Sequence, residues 1–433
     1  MSALDLQSLW SVTAIPGPVT VPLTANLSAD VVVVGAGYTG LSAAVHLAEG
    51  GRSVIVLESA AVGERASGLN GGQVIAGVKH DPDRLLEMFG EARGARYVRT
   101  VGNAPDVVFG LITRLGIHCD AVNTGWLQPA ASAEALPAQS ARAAQWRRRG
   151  APVETVSAEA MQRLTGSARY CGGLFDGRGG TVQPLSYVRG LAQALLRLRG
   201  QLFTQSPALR LARTANGYRV ETPRGSVSAS QVIVATNAYT GALNPQLRRT
   251  VVAVPSFQVA TAPVPPPLRG QILPGGQAAS DTCRLLRYFR TDVSGRLVMG
   301  TRGSFAAAPT AFTARHHYRA VREIYPQLQG LGFDYHWGGL VAMTADHLPH
   351  LHELAPGLLA ALGYNGRGVA MATVMGQLLA QRVLGVPAEE LGFPVTAVQP
   401  IRLHAFSRLG VRATIQYLRL LDSMTRSRAR PGP

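Results

Sequence analysis

Residues 30–58 read Asp30-Val31-Val32-Val33-Val34-Gly35-Ala36-Gly37-Tyr38-Thr39-Gly40, then Leu41-Ser42-Ala43-Ala44-Val45-His46-Leu47-Ala48-Glu49, then Gly50-Gly51-Arg52-Ser53-Val54-Ile55-Val56-Leu57-Glu58. Four consecutive valines without polar alternation suit a strand buried on both faces, as in a parallel sheet. The glycine turn predicts a tight strand-to-helix connection. Gly35 makes the turn, Gly37 leaves room for a pyrophosphate beside the backbone, and Gly40 lets the helix pack close to the sheet. Residues 41–49 have helical character, and Gly50 and Gly51 stop them. Residues 53–57 make a second strand that ends on Glu58, 23 residues past Gly35. An acid at that distance suits the hydroxyls of a ribose. The N-terminus of that helix offers free N–H groups and a positive dipole end to phosphate. The unit predicts dinucleotide binding in an α/β domain.

The rest of the chain sets the frame. With 433 residues it exceeds what one compact core fills, so two domains are expected. Charged residues are only 15% and hydrophobic ones 46%, the balance of a folded enzyme. The net charge of +17 is almost wholly arginine, because Lys79 is the only lysine. This charge is dispersed rather than clustered, so nucleic acid is not an expected partner. Cys119, Cys171 and Cys283 are far apart and make no local metal or redox motif. No apolar run is long enough to span a bilayer and no signal peptide is read, so a cytoplasmic location without a membrane partner is expected.

Beyond Glu58 comes Ala66-Ser67-Gly68-Leu69-Asn70-Gly71-Gly72-Gln73, where an extended dinucleotide would run from ribose toward its second ring. Small residues with hydroxyl and amide groups suit the edges of a flavin, which favours FAD over NAD. Helical spacing follows over 82–115 and 185–198, a β-meander over 207–235, and strands over 284–301. A long Pro- and Gly-rich surface loop is expected at 261–276 and a helix at 311–325. A second glycine turn, Gly363-Tyr364-Asn365-Gly366-Arg367-Gly368-Val369, opens a helix over 369–384.

These stretches, with Ala235-Thr236-Asn237-Ala238-Tyr239, resemble the D-amino-acid oxidase-like FAD oxidoreductases, and most closely the γ-glutamylputrescine oxidoreductases. The resemblance covers about residues 28–400 in order. It implies a discontinuous Rossmann-like FAD domain (28–118, 181–250 and 336–400) and an antiparallel-sheet substrate domain (119–180 and 251–335). An N-terminal arm (1–27) and a basic tail (401–433) flank them. It implies FAD contacts from Gly35, Gly37, Tyr38, Thr39, Gly40, Glu58, Ser67, Gly68, Asn70, Gly71, Gly72, Gln73 and Ala208. It implies the same for Gly363, Asn365, Gly366, Arg367, Gly368 and Val369. The second turn would stand beside the flavin N1–C2=O edge, where a helix N-terminus stabilises negative charge. Relatives with covalent flavin have a Cys before this turn or a His where Asn70 stands, so non-covalent FAD is expected.

The implied chemistry is hydride transfer from a substrate Cα–H to flavin N5, giving an imine that hydrolyses to an aldehyde or oxo acid. Oxygen or another acceptor then reoxidises the flavin. A γ-glutamylputrescine-like aliphatic amine is the expected substrate, with glycine, sarcosine or a D-amino acid as alternatives. Tyr288, Arg290 and Arg302 are candidate partners for a substrate carboxylate. A flavin enzyme acting on a modified tRNA base is a further reading that the positive charge would suit. His347, His350 and His352 cluster, but their spacing suits no single face, and no metal is expected. The tail has partly amphipathic spacing over 405–421. It is expected to pack on the body, with docking to an anionic membrane as the alternative.

Overall fold

The computed structural model describes residues 8–301, 309–407, 409–414 and 416–417. The βαβ unit is the strand Asn26–Val34, the helix Tyr38–Glu49 and the strand Val54–Leu57. The first strand begins inside the expected arm, and the helix begins three residues before residue 41. Val31–Val34 and all four residues of the second strand are buried. Each such side chain is worth about 1.5–3 kcal/mol of burial.

That unit seeds an eight-stranded sheet. Its central path runs His350–Ala355, Leu358–Leu362, Ser226–Val234, Asn26–Val34, Val54–Leu57 and Gln201–Phe203. Pairing is parallel from Leu358–Leu362 through Gln201–Phe203. Ser226–Val234 plays two parts. It pairs in parallel with the whole of Asn26–Val34, and its first half closes an antiparallel hairpin with Gly217–Glu221. The helix Gly368–Val383 packs on Tyr38–Glu49, and Gly376 makes the closeness possible. A Cβ there would come within 2.5 Å of the Thr39 carbonyl oxygen and 2.6 Å of Ser42 Cβ.

The second sheet also has eight strands, in the order Phe333–Met343, Val252–Pro263, Arg296–Thr301, Arg287–Thr291, Ala278–Ser280, Trp126–Pro129, Gly173–Asp176 and Val153–Val156. All neighbours are antiparallel except Ala278–Ser280 with Trp126–Pro129. Phe333–Met343 crosses the expected boundary at 336. It pairs with Val252–Pro263 from Val252↔Met343 to Thr261↔Phe333, so residues 336–343 belong to this sheet. The stretch 261–276 is not simply a surface loop. The strand Val252–Pro263 runs into it, and Val264, Ile272 and Leu273 are buried in the core under the sheet.

The N-terminal arm is a structural wedge. The helix Leu9–Thr13 buries Leu9 and Trp10. Trp10 meets Trp337 edge to face at 5.7 Å, and its indole N–H donates to the Asn70 carbonyl at 2.8 Å.

Candidate functional site: a cavity between the two sheets

A cavity of about 530 Å³ lies where the two sheets meet. Strands Asn26–Val34, Val54–Leu57 and Ser226–Val234 end together on its wall. Gly35 N–H donates to Leu57 O and Ala235 N–H to Val34 O. The C-terminal ends of parallel strands at a change of direction are where α/β sheets bind ligands. Gly35, with φ of +106°, turns the chain away from Ala235 at this point, and a Cβ would lie 3.1 Å from the Ala235 carbonyl oxygen. Gly40 is packed behind it, against the Gly35 carbonyl and Val33, rather than on the cavity.

Of the residues singled out from sequence, Gly35, Gly37, Tyr38, Thr39, Glu58, Ser67, Asn70, Gly71 and Gln73 line the cavity. So do Ala208, Tyr288, Asn365, Gly366, Arg367, Gly368 and Val369. Gly68, Gly72, Gly363 and Arg290 are not on the lining. Arg302 lies outside the described residues.

The two glycine turns are joined directly. The hydroxyls of Thr39 and Tyr364 lie 2.5 Å apart, and Ser42 donates to the Thr373 carbonyl at 2.7 Å. Burial pushes the phenols of Tyr38 and Tyr364 above the ordinary tyrosine range, so both stay neutral. Glu58 is 8% exposed. Its Oε2 accepts from Ala36 N–H at 2.8 Å, and its Oε1 from Ala60 N–H at 3.0 Å and Ser59 Oγ at 3.1 Å. A carboxylate has about four acceptor sites, so capacity remains toward the cavity. At the first turn, Ser67 Oγ accepts from Tyr38 N–H at 3.1 Å and sits 2.9 Å from where a Gly37 side chain would begin.

The loop 66–73 is pinned by its own Asn70 and by three strands of the second sheet. Leu69 O accepts from Gln258 Nε2 at 2.6 Å and from Trp337 Nε1 at 3.1 Å. Asn70 Nδ2 donates to Ser67 O at 2.7 Å, and Asn70 Oδ1 accepts from Gly72 N–H at 2.8 Å. Gln73 Nε2 reaches Ala279 O at 3.0 Å, and its Oε1 accepts from Ser280 Oγ at 2.8 Å. Asn70 therefore shapes the loop.

Arg290 departs from its expected role. Its guanidinium donates to Val182 O at 2.5 Å, Gly72 O at 3.4 Å and Thr291 O at 3.1 Å, and lies over Trp10. Burial lowers it to about 10. It ties the loop to the second sheet and is not a substrate contact. Arg367 does line the cavity. It donates to the Ala76 carbonyl, lies 5.7 Å from the Trp126 ring centroid, and is lowered to about 10, chiefly by burial. Tyr288 faces the cavity with its hydroxyl 3.0 Å from Ser256 Oγ.

Ser256, Gln258, Ser280, Trp126, Gln128 and Lys79 also line the cavity and were not singled out as site residues. Only Lys79 carried a signal, as the single lysine. His350 bonds Asp346 at 3.2 Å, and His352 Nδ1 lies 2.7 Å from Thr396 O. Among the described residues, no group of three or more His, Cys, Asp or Glu could hold a metal.

The cavity fits an extended dinucleotide. One helix N-terminus, Tyr38–Glu49, opens onto it beside Glu58, and a second, Gly368–Val383, opens onto it beside Arg367. The fold and cavity define a two-domain dinucleotide-dependent enzyme. Residues 30–382 match the family described as FAD dependent oxidoreductase (DAO), and the chain belongs to that family. It is 31% identical over 415 residues to the probable oxidoreductase OrdL of Haemophilus influenzae, covering 93% of this chain and 94% of that one. It is also 31% identical to the γ-glutamylputrescine oxidoreductase of Escherichia coli K12, over 84% and 85% of the two chains. The crystal structure of glycine oxidase from Geobacillus kaustophilus superposes with a TM-score of 0.72 at 20% identity, over 86% and 97%.

Proposed function

We propose that the protein oxidises an aliphatic amine of the γ-glutamylputrescine type, using non-covalently held FAD. The observation that carries this reading is one cavity shared by the two glycine turns and the second sheet. It joins the Gly35–Gly40 turn and Glu58 to the Gly366–Val369 turn and to Tyr288 of the second sheet. Glu58 would hold the ribose hydroxyls, and the helix start at Tyr38 and Thr39 the pyrophosphate. Gly366, Arg367, Gly368 and Val369, at the start of the second helix, would face the ring system, where the dipole favours negative charge. Bound FAD supplies the acceptor for a hydride from the substrate carbon bonded to nitrogen.

The chain's own part is binding, alignment and exclusion of water. Tyr288 and Ser256 offer hydroxyls at the second-sheet wall, and loop 66–73, with Gly68, Gly72 and Gln73 buried, fixes that wall against the cofactor side. Desolvation there favours the neutral amine that oxidation requires. Water adds to the imine left on the substrate and releases an aldehyde and ammonia. No histidine, glutamate or lysine is needed as an obligatory base. The 31% identity to the γ-glutamylputrescine oxidoreductase supports the amine over glycine, sarcosine or a D-amino acid.

Anaerobic spectra of the purified yellow protein test this, with γ-glutamylputrescine, putrescine, sarcosine and D-alanine added in turn. Bleaching by γ-glutamylputrescine, with FAD released on acid precipitation, is expected. Bleaching by sarcosine or D-alanine alone would move the substrate class to amino acids. Flavin retained in the acid pellet would refute non-covalent attachment.

A further inference from the structure

Residues 401–417 leave the body of the protein in an unusual way. Ile401 N–H donates to Arg249 O at 2.8 Å, and His404 Nε2 contacts Val251 O at 2.9 Å, so the segment is anchored at the start of the second sheet. Between those anchors Leu403 takes a left-handed conformation, with φ of +56°, which is uncommon for a leucine and turns the chain sharply. Beyond it, residues 409–414 and 416–417 are helical, and of these all except the half-buried Val411 are exposed. Of the residues expected to pack on the body over 405–421, Phe406 and Leu409 are exposed, while Ile415, Leu418 and Leu421 lie outside the described residues.

What the segment exposes is apolar. Leu403 is 75% exposed, Phe406 62%, and Leu409 and Tyr417 60% each. Single exposed leucines need no explanation, but four large exposed side chains within 15 residues concentrate apolar surface that water disfavours. Its surroundings are cationic. Arg402 and Arg412 are exposed within the segment, and Arg248 and Arg249 are exposed beside its anchor. Residues 401–433 contain seven arginines and one acid, Asp422. The match to the family model ends at 382, before this segment. Among the described residues no helix is long and apolar enough to cross a membrane.

Apolar side chains beside an excess of arginine are what an anionic lipid surface recognises. The apolar groups enter the boundary of the acyl chains, and the cations stay among the headgroups. We infer that the described residues between 402 and 417 form a peripheral docking surface for a bilayer containing anionic lipid, holding the enzyme on the membrane without spanning it. An acidic protein would satisfy the arginines but not this apolar patch, and a second copy of a chain with net charge +17 would meet charge repulsion. The inference is independent of the substrate proposed above.

The test is co-sedimentation of the full-length holoenzyme with vesicles. One set is phosphatidylcholine alone, and the other is phosphatidylcholine with phosphatidylglycerol. Binding to the second set, at least about tenfold tighter than to the first and weakened by high salt, is expected from several arginines near a charged surface. The double variant Phe406→Ser, Leu409→Ser and the double variant Arg402→Gln, Arg412→Gln should each weaken it by about tenfold or more, with flavin content and oxidation rate unchanged. No sedimentation, or equal sedimentation with both vesicle sets, overturns the inference. So does undiminished binding by both variants. If vesicles fail to bind and sedimentation equilibrium shows a dimer that the Phe406→Ser, Leu409→Ser change splits, the patch belongs to a second copy instead.

Discussion

Glu58 allows the cofactor reading to be tested separately from the turn that carries it. Its two oxygens accept from Ala36 N–H, Ala60 N–H and Ser59 Oγ at 2.8–3.1 Å, while the residue faces the cavity. Glu58→Gln keeps the shape, but its amide nitrogen must face one of two backbone N–H donors. A donor left without an acceptor in a buried place costs about 1–3 kcal/mol. The apoprotein should therefore lose roughly that much stability. On the ligand side, one charged acceptor for the ribose hydroxyls is lost, worth about 1.5–3 kcal/mol. This corresponds to an FAD affinity lower by roughly 10- to 150-fold. Urea unfolding of the apoprotein reads the first quantity, and quenching of FAD fluorescence on titration reads the second. Unchanged FAD affinity with a destabilised apoprotein would confine Glu58 to holding the turn. If neither quantity changed, the carboxylate would have no part in either, and the placement of ribose beside it would be refuted.

Three other outcomes are expected. Gly376→Val should destabilise the holoprotein by about 2 kcal/mol or more in urea, because even a Cβ would overlap the Thr39 carbonyl of the facing helix. An unchanged unfolding midpoint would mean that the two helices are not held this closely. His336 is buried and held down at about 4, by burial and then by the nearby His317, so it is neutral in the folded protein near neutral pH. The unfolded chain takes up that proton near 6.5, so stability is lost as pH falls below that value and levels off below about 4, with a loss of about 2 kcal/mol by pH 5. His336→Gln should flatten that part of the pH profile, and an identical slope in variant and parent would refute this. Tyr288→Phe removes the hydroxyl near Ser256 and should slow anaerobic flavin reduction by about tenfold while changing FAD affinity less than about twofold. A loss of FAD affinity instead would place Tyr288 against the cofactor.

The first βαβ unit was legible because its causes are local. An apolar run, a turn that needs Gly35 at φ of +106°, and an acid at fixed spacing all lie within 30 residues. The other wall of the cavity was not legible in the same way. Trp10 reaches Asn70 across 60 positions, Gln258 reaches Leu69 across 189, and Trp337 reaches the same carbonyl across 268. A lone Trp or Gln leaves no period in the sequence, so nothing marks it as part of a site until the second sheet is folded against the first. The tail is limited for a related reason: its spacing shows an amphipathic pattern but not what that face meets.

The pair Gly71-Gly72 shows how a sound local reading can still miss the physical cause. The sequence suggests that small residues here let the backbone approach a flat ring. In the structure both positions are also filled from the second sheet. A Cβ on Gly71 would come within 2.8 Å of Tyr288 Cε2, and one on Gly72 would collide with the Val182 carbonyl and come within 2.5 Å of Arg290 Nη1. Gly72 in addition has φ of +66°, which disfavours any side chain. The same missing side chain that lets Arg290 reach the Gly72 and Val182 carbonyls uses up its guanidinium inside the protein. That is why Arg290 is a strut, although arginine is the residue chemistry would choose for a substrate carboxylate. Tyr288, two residues earlier on the same strand, has its hydroxyl toward Ser256 and the cavity. Gly71 thus sets the depth at which the Tyr288 ring stands beside the cofactor loop. A larger residue at 71 should therefore disturb substrate reduction and FAD binding together, whereas Tyr288→Phe should separate them.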